Sequence, residues 1–301
     1  MSKLILIDGN AILHRAYHAL PPNLTTKSGQ PINAVYGFVS MLLRVIQDLK
    51  PTHIAVAFDT AKPTFRHAEY VGYQAHRPRT DSELSSQFEI CYKVLGTMNI
   101  PIYKMERFEA DDVLGTISFQ VKGVDEVVIV TGDRDILQLA DDSRNIKIYM
   151  PVRGLTDAKL YGEKETVERL GVSPSQIIDY KSLVGDPSDN YPGVTGIGPK
   201  TAINLIEKYK DVDNIYKHLL EIPERTSKKL AQGIEQAGMS RKLATIVKDV
   251  PITFKIEDAG KWDIDSEKTL KAFEEIGFRT LTKRVKEVGE QIDKEKQLQL
   301  I

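Results

Sequence analysis

Leu4-Ile5-Leu6-Ile7-Asp8 is the stretch that decides the fold: four consecutive apolar residues stopped by a carboxylate. A short unbroken apolar run fits a strand buried on both faces, as in a parallel sheet. The pattern recurs at His53-Ile54-Ala55-Val56-Ala57-Phe58, followed directly by Asp59. It recurs again at Val127-Val128-Ile129-Val130, followed by Thr131-Gly132-Asp133-Arg134-Asp135, and Ile146-Lys147-Ile148-Tyr149 reads as a fourth strand. Helical stretches lie between them, at 34–49, 82–95 and 110–121. Strands spaced by helices predict an α/β fold with a central, mostly parallel sheet covered on both faces. Ligand sites in such sheets lie outside the carboxyl ends of the strands. Asp8, Asp59, Asp133 and Asp135 can therefore gather on one rim.

Taken singly, an Asp after a strand is a turn former or a helix cap, and that bland reading is preferred for any one of the four. Four in succession are harder to explain that way. Glu109-Ala110-Asp111-Asp112 adds to the same rim at the head of the 110–121 helix. Glu109 and Asp112 share a helix face, with Asp111 offset by about 100°. An acidic first turn complements the helix dipole, which accounts for one or two carboxylates. Three within four residues repel one another unless a cation sits among them.

Gly185-Asp186-Pro187-Ser188-Asp189-Asn190 would on its own pass for a turn. It runs, however, into Tyr191-Pro192-Gly193-Val194-Thr195-Gly196-Ile197-Gly198-Pro199-Lys200-Thr201-Ala202, a Gly-rich turn that leads into a helix over 201–209. Such a turn lays backbone N–H groups and a helix N-terminus against a phosphate. Gly193, Gly196 and Gly198 allow close approach, Lys200 adds a point charge, and Thr201 opens the helix.

Composition is that of an ordinary globular chain. Its 301 residues are 41% hydrophobic and 28% charged, enough for one large domain or two small ones. The single cysteine, Cys91, excludes an internal disulfide framework and fits a reducing, cytoplasmic setting. The first apolar run is too short for a secretory signal, and no run approaches the roughly 20 residues of a membrane helix. The net charge of −1 does not argue for a nucleic-acid partner, but neither does it exclude one. Setting nine acidic residues aside as metal ligands leaves 33 carboxylates against 41 Lys and Arg.

As an ordered set, these motifs resemble the 5′ nuclease (flap endonuclease-like) family. The similarity is greatest to the 5′–3′ exonuclease domain that begins bacterial DNA polymerase I, and it runs from Leu4 to about Lys286. It is carried by LILIDGN (4–10), LPPNLTTKSGQPINAVYGF (20–38), AFDTAKPTFRHAEY (57–70), FEADDVLGTI (108–117), VTGDRDILQL (130–139), GDPSDNYPGVTGIGPKTA (185–202) and FEEIGFRTLTKRV (273–285). The resemblance implies a nuclease core over 1–165 with an arch near 62–97. It further implies a helical DNA-binding region over 166–286 with a helix–three-turn–helix at 190–209, and a charged tail at 287–301. By family pattern the metal ligands are Asp8, Asp59, Glu109, Asp111, Asp112, Asp133, Asp135, Asp186 and Asp189. The implied inner shell is Asp59, Glu109, Asp111, Asp133 and Asp135. A potassium ion at the helix–three-turn–helix is also implied.

The chemistry follows from the ligand types. An all-oxygen set suits Mg²⁺ or Mn²⁺ and not a structural zinc. So many carboxylates fit two ions about 4 Å apart, acting on a DNA phosphodiester to leave a 5′-phosphate and a 3′-hydroxyl. Lys62, Arg66, His67, Tyr70, Tyr73, His76, Arg77 and Arg79 interleave bases and aromatics, which suits a threaded single strand. A polar surface loop is the plain alternative, and the resemblance favours an arch that brings Arg66, Tyr73, Gln74 and Arg77 to DNA. Here the chain departs from its relatives: Tyr73-Gln74-Ala75-His76-Arg77 carries Gln74 where the family pattern has a lysine aimed at the scissile phosphate. Gln74 cannot supply that charge, which leaves Arg77 to carry it, with a reduced rate.

These features predict a monomeric enzyme acting in primer removal and DNA repair on branched or nicked duplexes with a 5′ end or flap. No polymerase sequence follows, which fits a free-standing nuclease or a fragment of a longer polymerase. The terminal Gln297-Leu298-Gln299-Leu300-Ile301 resembles peptides that bind the bacterial sliding clamp, against the plainer reading of a frayed helix end. Two rival functions are a PIN-type ribonuclease, which does not need the 185–202 segment, and a non-catalytic DNA-structure binder, which would not need every carboxylate. A phosphatase is a weaker third, because Asp8-Gly9-Asn10 lacks the second Asp.

Overall fold

A computed structural model describes residues 1–26, 28–77, 80–153 and 157–298. Its centre is a six-stranded sheet in the order β3-β2-β1-β4-β5-β6. The strands are β1 (Lys3–Asp8), β2 (His53–Ala57), β3 (Ile102–Tyr103), β4 (Glu126–Val130), β5 (Ile146–Arg153) and β6 (Asp157–Tyr161). The first five are parallel, and β6 returns antiparallel along β5. All four strands expected from the apolar runs are present. The two that were not expected are edge strands: β3 is too short for a periodic signal, and β6 is a half-exposed hairpin return.

Alternate residues of the central strands face opposite layers, because successive side chains of a strand point to opposite sides. Leu4, Leu6, Ala55, Ala57, Val127 and Ile129 belong to one core, packed against helix 110–120 and the helices between residues 177 and 259. Ile5, Ile7, Ile54, Val56, Val128 and Val130 belong to the other. That second layer holds α1 (Gly9–Ala19), α2 (Asn33–Leu49), the helix 82–97 and the last two helices of the chain.

Between β2 and β3 the chain forms α3 (Phe65–Glu69), a series of turns, and α4 (Ser82–Thr97). This is the segment expected as an arch. After β3 comes α5 (Ala110–Gln120), and after β6 come α6 (Glu163–Leu170) and α7 (Ile177–Val184). A two-residue ribbon, β7 (Gly185–Asp186) with β8 (Tyr191–Pro192), then leads to α8 (Pro199–Tyr209). The helices flanking the turns are thus α7 and α8. The remaining helices are α9 (Val212–Lys217), α10 (Glu224–Gln232), α11 (Ile234–Ala244), α12 (Ile256–Ala259), α13 (Glu267–Ile276) and α14 (Arg279–Leu298). No described helix is long and apolar enough to cross a membrane.

Candidate active site

The carboxyl ends of β1, β2 and β4, the head of α5 and the ribbon after α7 converge on a cleft of about 860 Å³. Asp8, Asp59, Glu109, Asp111, Asp133 and Asp189 line it. Asp8 ends β1 and caps α1 by accepting from Ala11 N at 2.9 Å; its other oxygen accepts from Thr131 Oγ1 at 2.7 Å. Asp59 accepts from Ala110 N at 2.7 Å, and its own N–H donates to Asn10 Oδ1. The capping roles of the bland reading are therefore real, but they leave the carboxylates facing one another. Burial pushes Asp8 and Glu109 up to about 7, and raises Asp59, Asp111 and Asp189 as well. Neighbouring carboxylates raise each of the five further. Without a cation, the cleft stays partly protonated near neutral pH.

A second group adjoins the first. Asp135, Asp186 and Asp189 each offer an oxygen within 4.8 Å of the others. A cation already lies there: the Lys181 ammonium, from the last turn of α7, is hydrogen-bonded to both Asp135 and Asp186. Burial pushes Asp135 up to about 7, against the pull of Lys181. In Asp186, burial is outweighed by Lys181 and Ser188, which hold it below the usual range. The donor set of both groups is all oxygen, and an ammonium occupies the place of a hard cation. The residues present therefore fit divalent metal ions. Sequence reading missed Lys181, whose only signal is one cation on a short helix five residues before Asp186. It also missed Thr131 and Asn10, which fix Asp8 and Asp59, and His14, Tyr17 and His18, which line the cleft from α1.

Three expected site residues do not line the cleft. Asp112 is fully buried and both its oxygens are taken: Arg66 donates to them at 2.7 and 2.8 Å, and Glu109 N and Val247 N complete the set. Asp112 thus faces Arg66 and does not line the cleft. Arg66, 2% exposed, also donates to Leu243 O and Thr245 O, so it ties α3 to the end of α11 and not to DNA. Tyr73, 4% exposed, stacks on Tyr191 and donates its hydroxyl towards Glu109 and Asp189, which removes it as a DNA-stacking surface.

Gln74 and Arg77 do line the cleft. Gln74 has a left-handed backbone (φ 53°), and its amide donates to Asp189 Oδ1 at 3.0 Å. Arg77 is exposed and its charge opposes the rise of Asp59 and Asp189. Arg79 lies outside the described residues. In the turn before α8, Gly193 is required by packing: a Cβ there would stand 2.3 Å from Leu183 O. Gly198 instead borders open space at the N-cap of α8, beside exposed Lys200 and half-buried Thr201. Gly196 has φ +80°, and its carbonyl accepts from Lys229 Nζ.

Comparison with known proteins agrees with this architecture. Residues 3–171 match the family model described as 5′-3′ exonuclease, N-terminal resolvase-like domain, and residues 172–268 match 5′-3′ exonuclease, C-terminal SAM fold. DNA polymerase I of Bacillus subtilis is 39% identical over 99% of this chain and 34% of its own length. That of Caldicellulosiruptor bescii is 41% identical over 94% of this chain and 33% of its own. The chain thus spans about a third of the length of the curated relatives it matches. Among solved structures, bacteriophage T5 5′-exonuclease with bound zinc has a TM-score of 0.64 at 23% identity, covering 96% of this chain and 99% of that one. The catalytic core of Rad2 in complex with DNA substrate has a TM-score of 0.60 at 17% identity, covering 97% and 93%. These two likenesses concern the fold.

Proposed function

The chain belongs to the 5′-3′ exonuclease family, and from that premise we propose that it is a structure-specific 5′ nuclease that hydrolyses DNA at 5′ ends and flaps. One observation carries the reading: carboxylates from the ends of β1, β2 and β4, the head of α5 and the ribbon after α7 line one cleft, and one of them, Asp189, is shared with the Asp135–Asp186 group. That layout suits two hard divalent ions, Mg²⁺ or Mn²⁺, which when bound activate water and offset charge on the phosphodiester. Asp59, Glu109, Asp111 and Asp133 would hold the ion on the cleft side, and Asp135, Asp186 and Asp189 the second, with Asp8 acting through Thr131 and bound water. Arg77 would neutralise the substrate phosphate. The first turn of α8, with Gly198, Lys200 and Thr201, would grip the duplex by its backbone.

The C-terminal helical region favours DNA over the PIN-type ribonuclease reading. Retained carboxylates at all nine family positions disfavour a non-catalytic binder. A labelled 5′-flap duplex incubated with Mg²⁺ or with EDTA tests the proposal. Mg²⁺-dependent cleavage leaving a ligatable 5′-phosphate supports it, and an intact flap with both Mg²⁺ and Mn²⁺ rejects it.

Three finer readings belong with this one. Monomeric behaviour is checked by light scattering. A potassium ion at the turns before α8 would have to use carbonyls other than that of Gly196, which already accepts from Lys229; comparing flap binding in K⁺ and Na⁺ tests it. Of the clamp-like tail, residues 299–301 lie outside the described residues. Deletion of 297–301 should abolish retention on an immobilised sliding clamp, and equal retention rejects the idea.

A further inference from the structure

Lys181 does not line the cleft, yet its ammonium is bonded to two of the three carboxylates of the Asp135–Asp186–Asp189 group, Asp135 and Asp186. It sits in the last turn of α7, where the helix C-terminus favours a positive charge. Asp135 comes from the segment after β4 and Asp186 from β7, so two separate elements converge on an ammonium supplied by a third. Beside it lies the hydroxyl of Tyr191, 3% exposed and without a hydrogen-bond partner among the described residues. Lys181, Asp135, Asp186 and Asp189 all act on it electrostatically. A buried phenol of this kind ordinarily finds a partner, so the group has a polar position left unused while Lys181 is in place.

We propose that Lys181 is a tethered competitor for the second divalent ion: its ammonium occupies the Asp135–Asp186–Asp189 group in the metal-free protein and must leave for that ion to bind. This rests on the metal-site reading above. An ammonium and a divalent ion cannot share the same carboxylate oxygens, because the two cations repel at that range. The ion therefore sees only the fraction of molecules in which Lys181 has swung away, and its apparent affinity is lowered by that fraction. Lys181 thus offsets part of the charge of the group without metal.

The test needs no DNA and no turnover, so it stands apart from the flap assay. Mn²⁺ binding to the full chain is measured by calorimetry for wild type and Lys181→Met, with melting temperature recorded in EDTA and in saturating Mn²⁺. The weaker Mn²⁺ site should tighten about tenfold or more in Lys181→Met. Its melting temperature should fall in EDTA and recover in Mn²⁺. Unchanged or weaker Mn²⁺ binding, with the same loss of melting temperature in both conditions, would make Lys181 a structural ion pair only and overturn the proposal. Should Lys181→Met fail to fold, wild-type protein decides the matter. Amine labelling read by peptide mass should find Lys181 protected in EDTA and labelled in Mn²⁺. Equal protection in both refutes displacement.

Discussion

Replacing Arg66 with Met removes the cation that neutralises Asp112 while keeping a side chain of similar length. Asp112 would remain fully buried, with only Glu109 N and Val247 N as donors. Leu243 O and Thr245 O would lose the guanidinium that joins the end of α11 to α3. Breaking one partner of a buried ion pair costs about 3–5 kcal/mol, because the other charge stays behind. For 301 residues the unfolding entropy is about 0.6 kcal/mol/K, so the melting temperature should fall by about 5–8 °C. Calorimetry in EDTA should show this loss in full; in Mg²⁺ it should be no larger, since Arg66 also pairs with Glu109 at 3.4 Å and a bound ion would offset that charge. Asp112→Asn should cost a comparable amount, and the two losses should not add in the double variant. A variant that melts within about 2 °C of wild type yet binds flap DNA more weakly would return Arg66 to the DNA surface and refute the reasoning.

Metal-free stability should fall as pH rises. Asp8, Glu109 and Asp135 hold their protons up to about 7 in the folded state, against 3.8 or 4.5 when exposed. The folded protein thus binds more protons between about pH 4 and 7, and stability present below that window is lost across it. Melting in EDTA at pH 5 should exceed that at pH 7.5, and saturating Mg²⁺ should erase or reverse the difference; a flat profile contradicts the burial of these groups. Gln74→Lys should raise single-turnover flap cleavage by about tenfold, less than the 10²–10³ of a lone electrostatic contact, because Arg77 already contributes. A flat or lower rate removes that idea. Lys200→Ala should weaken flap binding about equally across sequences and reduce the salt slope by about one. An unchanged slope would take Lys200 off the phosphate backbone.

The order of apolar runs and following carboxylates carried most of the architecture. Each run is buried on both faces and alternates between two cores, so periodicity and burial point the same way at β1, β2 and β4. Local pattern was less able to separate residues that look alike. Arg66 and Arg77 stand in one basic, aromatic stretch, but only Arg66 meets carbonyls some 180 residues further along the chain. Asp111 and Asp112 are adjacent, and the turn of α5 sends one to the cleft and the other to Arg66. Glycines were similarly ambiguous. Gly193 is demanded by the backbone of α7, while Gly198 borders open space. Lys181 acquires its meaning from Asp135, 46 residues away, a contact that spacing cannot signal.

The most direct test of the metal-dependent nuclease account is single-turnover cleavage of a labelled 5′-flap duplex across a Mg²⁺ titration, by wild type and by Asp111→Ala. Asp111 lines the cleft, where burial, and then the neighbouring carboxylates, raise its pKa. The account predicts Mg²⁺-dependent cleavage by wild type, and a rate at least about 10²-fold lower for a variant that still binds the flap. Cleavage by Asp111→Ala at the wild-type rate, with the same Mg²⁺ dependence, would contradict it.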